Sequence, residues 1–261
     1  MNRPPPPPSA APAAARPRVI PVLDLRGGQV VRAVRGERGR YAPIRSPLAE
    51  GSAPLPLARA LLAHPACRGE APPCLYVADL DAIVDGRPQA DALRALLQAL
   101  CAEHPGLRLW LDAGFDTPAA AAALRTAVTG GLPEGPAQLR PVYGSETLRD
   151  LAALDALQAD PEAILSLDSR GDRPLDPSGC WQHPARWPAT VVVMTLDRVG
   201  AQAGPDLVAL ARIRALAPGR RLIGSGGIRD EADLAAGGAA GASGWLVASA
   251  LHDGRLGAPS R

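Results

Sequence analysis

The chain has 261 residues and a formal net charge of +2, with 28 basic and 26 acidic side chains, a balance that argues against a nucleic-acid partner. Hydrophobic residues make up 47% but aromatic ones only 3%, so a large core must be built from Leu, Val, Ile and Ala. No apolar run is long enough to span a bilayer, so no membrane partner is expected.

From the N-terminus, residues 1–17 are rich in Pro and Ala and lack the apolar centre of a signal peptide; they read as a disordered tail. Strand-like apolar segments then fall at 19–25, 74–80, 107–112, 139–143, 163–168, 190–196, 221–225 and 244–248. Between them, helical spacing appears at 91–103, 117–128, 147–158, 205–216 and 230–236, with Pro118 and Pro205 near two of the starts. Residues 256–261 read as a short C-terminal tail. Eight strands alternating with helices fit a (β/α)8 TIM barrel over 18–255; a doubly wound open sheet is the competitor.

An internal repeat favours the barrel. Leu23-Asp24-Leu25-Arg26-Gly27 matches Leu167-Asp168-Ser169-Arg170-Gly171, and Ala78-Asp79-Leu80-Asp81 matches Met194-Thr195-Leu196-Asp197. Asp112-Ala113-Gly114-Phe115 takes the place of Ser225-Gly226-Gly227-Ile228, and Tyr143-Gly144-Ser145-Glu146 that of Val247-Ala248-Ser249-Ala250. Four matches in the same order imply two similar half-barrels.

Residues at the C-terminal ends of barrel strands face the active site, so Asp24 and Asp168 are expected to share one mouth. Two carboxylates divide the acid and base roles when their surroundings separate their pKa values. Each aspartate taken alone could equally cap its following loop. Gly226, Gly227, Ala248 and Ser249, in the loops after the seventh and eighth strands, are the candidate phosphate site, with Gly204 beside them. The loop after the first strand carries Arg32, Arg35, Arg38 and Arg40; it is either a lid for an anionic substrate or a solvated loop. Trp181 is either a stacking surface for a planar group or ordinary packing. Cys67, Cys74, Cys101 and Cys180 form no CxxC pair and no zinc-ligand spacing, so no metal is expected and free thiols in a reducing cytoplasm are the expectation.

With these motifs in place, the chain resembles the HisA/HisF barrel family of histidine biosynthesis. PVLDLRGGQVVRAVRGE, LYVADLDAIVDG, SLDSRGD, TLDRVGAQAGPDL and LIGSGGIRDEADL carry the resemblance, which runs from Val19 to Leu251. It implies an aldose–ketose isomerase using an Amadori rearrangement and no cofactor, with Asp24 as general base and Asp168 as general acid. Arg26, Arg32, Asp81, Asp112, Gly114, Gly144, Ser145, Trp181, Thr195 and Asp197 would line the substrate. The cyclase branch has a lysine where this chain has Arg32, which argues against ammonia-consuming chemistry.

Two departures qualify the resemblance. The family's Gly-Gly-Gly-Ile-Arg type turn, which holds a second phosphate, is Asp112-Ala113-Gly114-Phe115-Asp116 here, and Met194 stands where ProFAR isomerase has a threonine. A phosphate beside Asp112 and Asp116 would be repelled. The resemblance therefore points to the subgroup associated with methanopterin-dependent one-carbon metabolism, acting on a singly phosphorylated ribosyl amine. ProFAR isomerase of histidine biosynthesis is the runner-up. A barrel that only binds a phosphorylated metabolite or a protein partner is the reading of a different class. A homo-oligomer stays open.

Overall fold

The computed structural model describes residues 16–69, 71–130 and 139–257. Most of the tail assigned to 1–17, and of that assigned to 256–261, lies outside the described residues. The barrel strands are β1 (Arg18–Arg26), β2 (Cys74–Asp79), β3 (Arg108–Asp112), β4 (Leu139–Gly144), β5 (Ile164–Arg170), β6 (Thr190–Thr195), β7 (Arg221–Ser225) and β8 (Gly244–Val247). Each pairs in parallel with the next, and β8 pairs back onto β1 from Arg18↔Gly244 to Pro21↔Val247. The sheet is closed: this is a (β/α)8 barrel, and the open-sheet competitor is excluded.

Helices α1 (Pro54–Ala63), α2 (Leu80–Asp85), α3 (Ala90–Glu103), α4 (Pro118–Thr129), α5 (Leu151–Ala159), α6 (Leu207–Leu216), α7 (Glu231–Ala239) and α8 (Ser249–His252) connect them. Several starts are set by caps. Thr117, Asp150, Asp206 and Asp230 each accept the N–H three residues on. The cap at Asp150 moves the helix expected over 147–158 to a later start. Three helices were not anticipated, among them the short α8 directly after β8. The proline stretch after loop one opens α1, with Pro54 in its first turn, where proline is well tolerated. Leu80 starts α2 rather than ending β2, because Asp79 caps it by accepting from Ala82 N–H at 3.1 Å.

Strand alternation sorts the side chains. Ile20, Tyr76, Trp110, Val142, Ile164, Val192, Ile223 and Leu246 pack together in the barrel interior. Leu23, Val77, Leu111, Leu165, Val191 and Leu222 belong to the larger core under the helices. Counting in twos along the strands from the interior set puts Asp24, Asp112, Asp168 and Ser225 inside, at the C-terminal ends of β1, β3, β5 and β7. All four lie at the C-terminal end of the interior, and together they make a polar layer there.

Trp245 on β8 joins this scaffold to the loop after β7. Its ring lies against Gly224 and Gly237, where an added Cβ would stand 2.4 and 2.5 Å from ring atoms. Its indole N–H donates to the Gly226 carbonyl at 2.9 Å. Trp245→Ala is expected to cost about 3–5 kcal/mol, measured by denaturant unfolding, because a fully buried ring is replaced by a void.

Candidate active site

The C-terminal mouth of the barrel holds a cavity whose floor is the polar layer and whose roof comes from the chain itself. After β1 the chain forms two short antiparallel strands, Gln29–Arg32 and Ala42–Pro43, that extend the sheet over the mouth. The Arg35 N–H donates to the Val199 carbonyl at 2.7 Å. Gly200 sits so close beneath that an added Cβ would be 2.0 Å from the Ala33 carbonyl oxygen. The long basic loop is thus docked on the loop after β6 as a cover, and Arg32 and Arg38 both line the cavity.

Three carboxyl groups meet here. Burial pushes Asp24 up to about 7, with Asp112 adding to the rise. Burial likewise raises Asp112 to about 6, opposed by hydrogen bonds from Gly114 N–H at 3.2 Å and from the Tyr76 hydroxyl at 3.0 Å. Asp168, the most buried of the three, is raised well above the ordinary carboxylate range by burial and then by Glu146. It accepts from the Ser166 hydroxyl at 2.7 Å and from Glu146 N–H at 3.3 Å. The surroundings of the two catalytic candidates differ: burial raises both, but Asp112 adds to the rise at Asp24 and Glu146 foremost at Asp168, and near neutral pH Asp24 is poised between its two forms.

Of the residues singled out in the sequence, Asp24, Arg32, Asp112, Asp168, Gly226, Gly227, Ala248 and Ser249 line this one cavity. The others stand behind or beside it. Ser145 is fully buried; its hydroxyl accepts from Asp168 N–H at 2.8 Å and donates to the Leu175 carbonyl at 2.8 Å. Trp181 is 8% exposed and packed in the outer core. Its indole N–H donates to Ser145 at 3.2 Å, so it braces the Asp168 strand rather than facing the cavity. Gly144 leaves room for Asp168, whose Oδ2 would be 2.9 Å from an added Cβ.

Thr195 donates to Asp206 at 3.0 Å, below the surface. Gly114 and Gly204 both have positive φ, and Gly204 packs under Gly227. Arg26 is exposed and donates to the Arg38 carbonyl at 2.7 Å. Asp81 accepts the Gly27 N–H at 2.9 Å, and Asp197 accepts the Gly171 N–H in the matching place of the second half.

The cavity also gathers residues that were not singled out as site residues. Tyr76 lies two residues before Ala78 on the inward face of β2, a position strand alternation could have supplied. Glu146 pairs with Arg38 across the mouth. His252 is buried; desolvation, then Arg32, lowers it to about 4, and Ser46 is hydrogen-bonded to its Nδ1 at 2.9 Å. No sequence pattern marks His252, because loop one and α8 meet only in the fold. Among the described residues no cluster of His, Cys, Asp or Glu is arranged to hold a metal ion, and no helix is long and apolar enough to cross a membrane.

The two ends of the cavity differ. One has Gly226, Gly227, Ala248 and Ser249, backbone-rich and without a carboxylate of its own. The other has Asp112 and Glu146. Asp116, next to that end, is engaged by Arg149 and held below its ordinary value chiefly by that side chain and Thr117, against burial.

A barrel closed by eight parallel strands, with paired carboxyl groups at matching strand ends, defines a class of acid–base enzyme scaffold. Comparison with known proteins makes this specific. Residues 18–257 match the model of the family described as "Histidine biosynthesis protein", and the chain belongs to that family. It is 31% identical to a protein of Xylella fastidiosa (strain M12), over 91% of this chain and 86% of that one. It is 30% identical to one of Xanthomonas campestris pv. campestris (strain B100), over 91% and 95% respectively. Both relatives are named 1-(5-phosphoribosyl)-5-((5-phosphoribosylamino)methylideneamino)imidazole-4-carboxamide isomerase.

Proposed function

We propose that the chain is an Amadori-type aldose–ketose isomerase, and that its substrate is the bis-phosphoribosyl imidazole carboxamide named for its relatives, ProFAR. The observation that carries this reading is the pair of buried carboxyl groups, at matching strand ends of the two halves, facing one cavity. Asp168, raised well above the ordinary carboxylate range, serves as acid; Asp24, raised to about 7, serves as base.

Asp168 gives its proton to the ribose ring oxygen as the C1–O bond breaks and the amine lone pair forms an iminium. Asp24 then takes the C2 proton, and the electrons of that bond move into C1=C2. The resulting enolamine tautomerises to the ketone. Gly226, Gly227, Ala248 and Ser249 hold one phosphate, with backbone groups that glycine allows to approach closely. Arg32 and Arg38 reach the cavity from the cover, Arg32 paired with Asp253 and Arg38 with Glu146.

The test is turnover of ProFAR by the purified protein as a function of pH. The value of kcat/KM should rise as pH passes about 7, where Asp24 loses its proton, and fall again at higher pH as Asp168 loses its own. A rate that is level from pH 5 to 8 would remove Asp24 from the base role.

The acidic end of the cavity supports a second reading. Asp112 and Glu146 in the cavity, with Asp116 beside it, disfavour a second phosphate and favour a singly phosphorylated ribosyl amine with a neutral or basic far end, as in the methanopterin-linked reading. The names of the relatives favour the histidine-pathway substrate. Absence of ProFAR turnover in a folded preparation would return the singly phosphorylated ribosyl arylamines to first place.

A further inference from the structure

The acid–base pair accounts for two of the three carboxyl groups on the cavity floor. Asp112 is left over, and it is not a stray surface charge. It occupies the inward position at the end of β3 and lines the same cavity as Asp24 on β1 and Asp168 on β5. It is fixed on both oxygens, by the Tyr76 hydroxyl at 3.0 Å on one and the Gly114 N–H at 3.2 Å on the other. Both bonds donate to the carboxylate and so favour its charged form. The other charged groups around it are Glu146 from the loop after β4 and Arg38 from the cover, and these two pair with each other. Arg38 is thereby occupied elsewhere, and Asp112 has no paired cation of its own among the described residues.

A fixed carboxylate in a partly desolvated layer is costly unless positive charge appears opposite it. The proposed reaction creates such a charge once, when ring opening converts the amine nitrogen to an iminium. We propose that Asp112 is a third catalytic carboxylate, placed to face the substrate's amine nitrogen and to stabilise its cationic form. This rests on the Amadori reading of the cavity. In the sequence of steps, Asp112 exchanges no proton: Asp168 supplies one to the ring oxygen, Asp24 removes one from C2, and Asp112 supplies only its charge between those events. It titrates near 6, so it is ionised under the conditions where Asp24 acts as base.

Two open-chain probes test the role without turnover. In 1-amino-1-deoxyribitol 5-phosphate an ammonium stands where the iminium nitrogen would be; ribitol 5-phosphate has a neutral hydroxyl there. At pH 7.5 the wild-type protein is expected to prefer the ammonium probe by about tenfold or more in Kd, a charge-assisted contact in a desolvated site. Asp112→Asn should remove most of that preference and leave ribitol 5-phosphate within about threefold of wild type, while Asp112→Glu keeps the preference. Asp112→Ser serves as the uncharged variant if the asparagine fails to fold, and a melting curve decides which is used.

With a turned-over substrate, the uncharged variant should lose about tenfold or more in kcat with KM changed by less than about threefold. A preference that survives loss of the Asp112 charge, or no preference in the wild type, overturns the inference. Discrimination through Asp112 by a protein that leaves ProFAR unchanged would refute the proposed substrate and retain this role.

Discussion

Asp168→Asn is expected to lower kcat by about 10²–10⁴-fold, the usual weight of a positioned proton donor, and Asp24→Asn to do the same through loss of the base. Neither loss should come from unfolding. A group whose folded pKa lies above its unfolded value stabilises the fold fully at low pH, and that contribution disappears as pH rises through the folded value. Asp24, held at about 7 against an ordinary 3.8, should therefore weaken the wild-type protein progressively between about pH 4 and 7.

Asparagine has no charge to desolvate. At pH 8, Asp24→Asn should be more stable than wild type by up to about 4 kcal/mol, the equivalent of a shift of that size. At pH 4 the difference should vanish. Asp168→Asn should follow the same trend with a smaller gain, since its amide cannot accept the Glu146 N–H and the Ser166 hydroxyl together as the carboxylate does. Paired denaturant curves at the two pH values, alongside a rate assay, check both halves. A variant that is inactive and also less stable at pH 8 would mean that the aspartate is structural.

Gly227→Ala is the second large effect. Gly227 has a φ of +78°, and an added Cβ would lie 2.2 Å from the Gly204 carbonyl oxygen and 2.8 Å from Pro205 Cα. Both obstacles are backbone, so neither can swing aside. The left-handed conformation costs a non-glycine residue about 1–2 kcal/mol, and overpacking adds about 1–3 kcal/mol more. Gly86→Ala is the control. Its φ is +65°, yet nothing lies within 4 Å of the added carbon, so only the conformational cost applies. Gly227→Ala should lose about 2–5 kcal/mol in urea unfolding and raise KM for a phosphorylated substrate by about tenfold or more, since a turn that shifts cannot present the same backbone to a phosphate. Equal behaviour of the two variants would show that this turn is neither tight nor used for binding.

The strand ends were readable in the sequence because most barrel strands are short apolar runs with a polar residue at the exit, and because the chain repeats. Asp24 and Asp168 could be placed in one mouth on that ground alone, and the Asp81–Gly27 and Asp197–Gly171 bonds follow the same repeat. What could not be read depends on contacts between distant segments. Trp181 offered two readings of equal standing, and the hydrogen bond to Ser145 that selects one of them joins residues 36 positions apart. Loop one could be a lid or a solvated strand of arginines until Arg35 and Gly200 were seen against the loop after β6. The helix at Leu80 was hidden inside an apolar run because one cap, Asp79, decides where strand becomes helix. His252 gave no signal at all: its neighbours Ser46 and Arg32 come from the opposite end of the chain.

The matching clamps, Asp81 on Gly27 and Asp197 on Gly171, tie the chain just beyond Asp24 and Asp168 each to its own half. Asp24 is held within β1 to β4, Asp168 within β5 to β8. In the proposed reaction neither half owns both the donor and the acceptor. They are brought face to face only across the two seams, where β4 meets β5 and β8 meets β1. The proposed proton transfer is thus a property of the junction, much as it would be at the boundary between two subunits. The registers at those two seams hold the partners in line as surely as the residues that surround either carboxyl group.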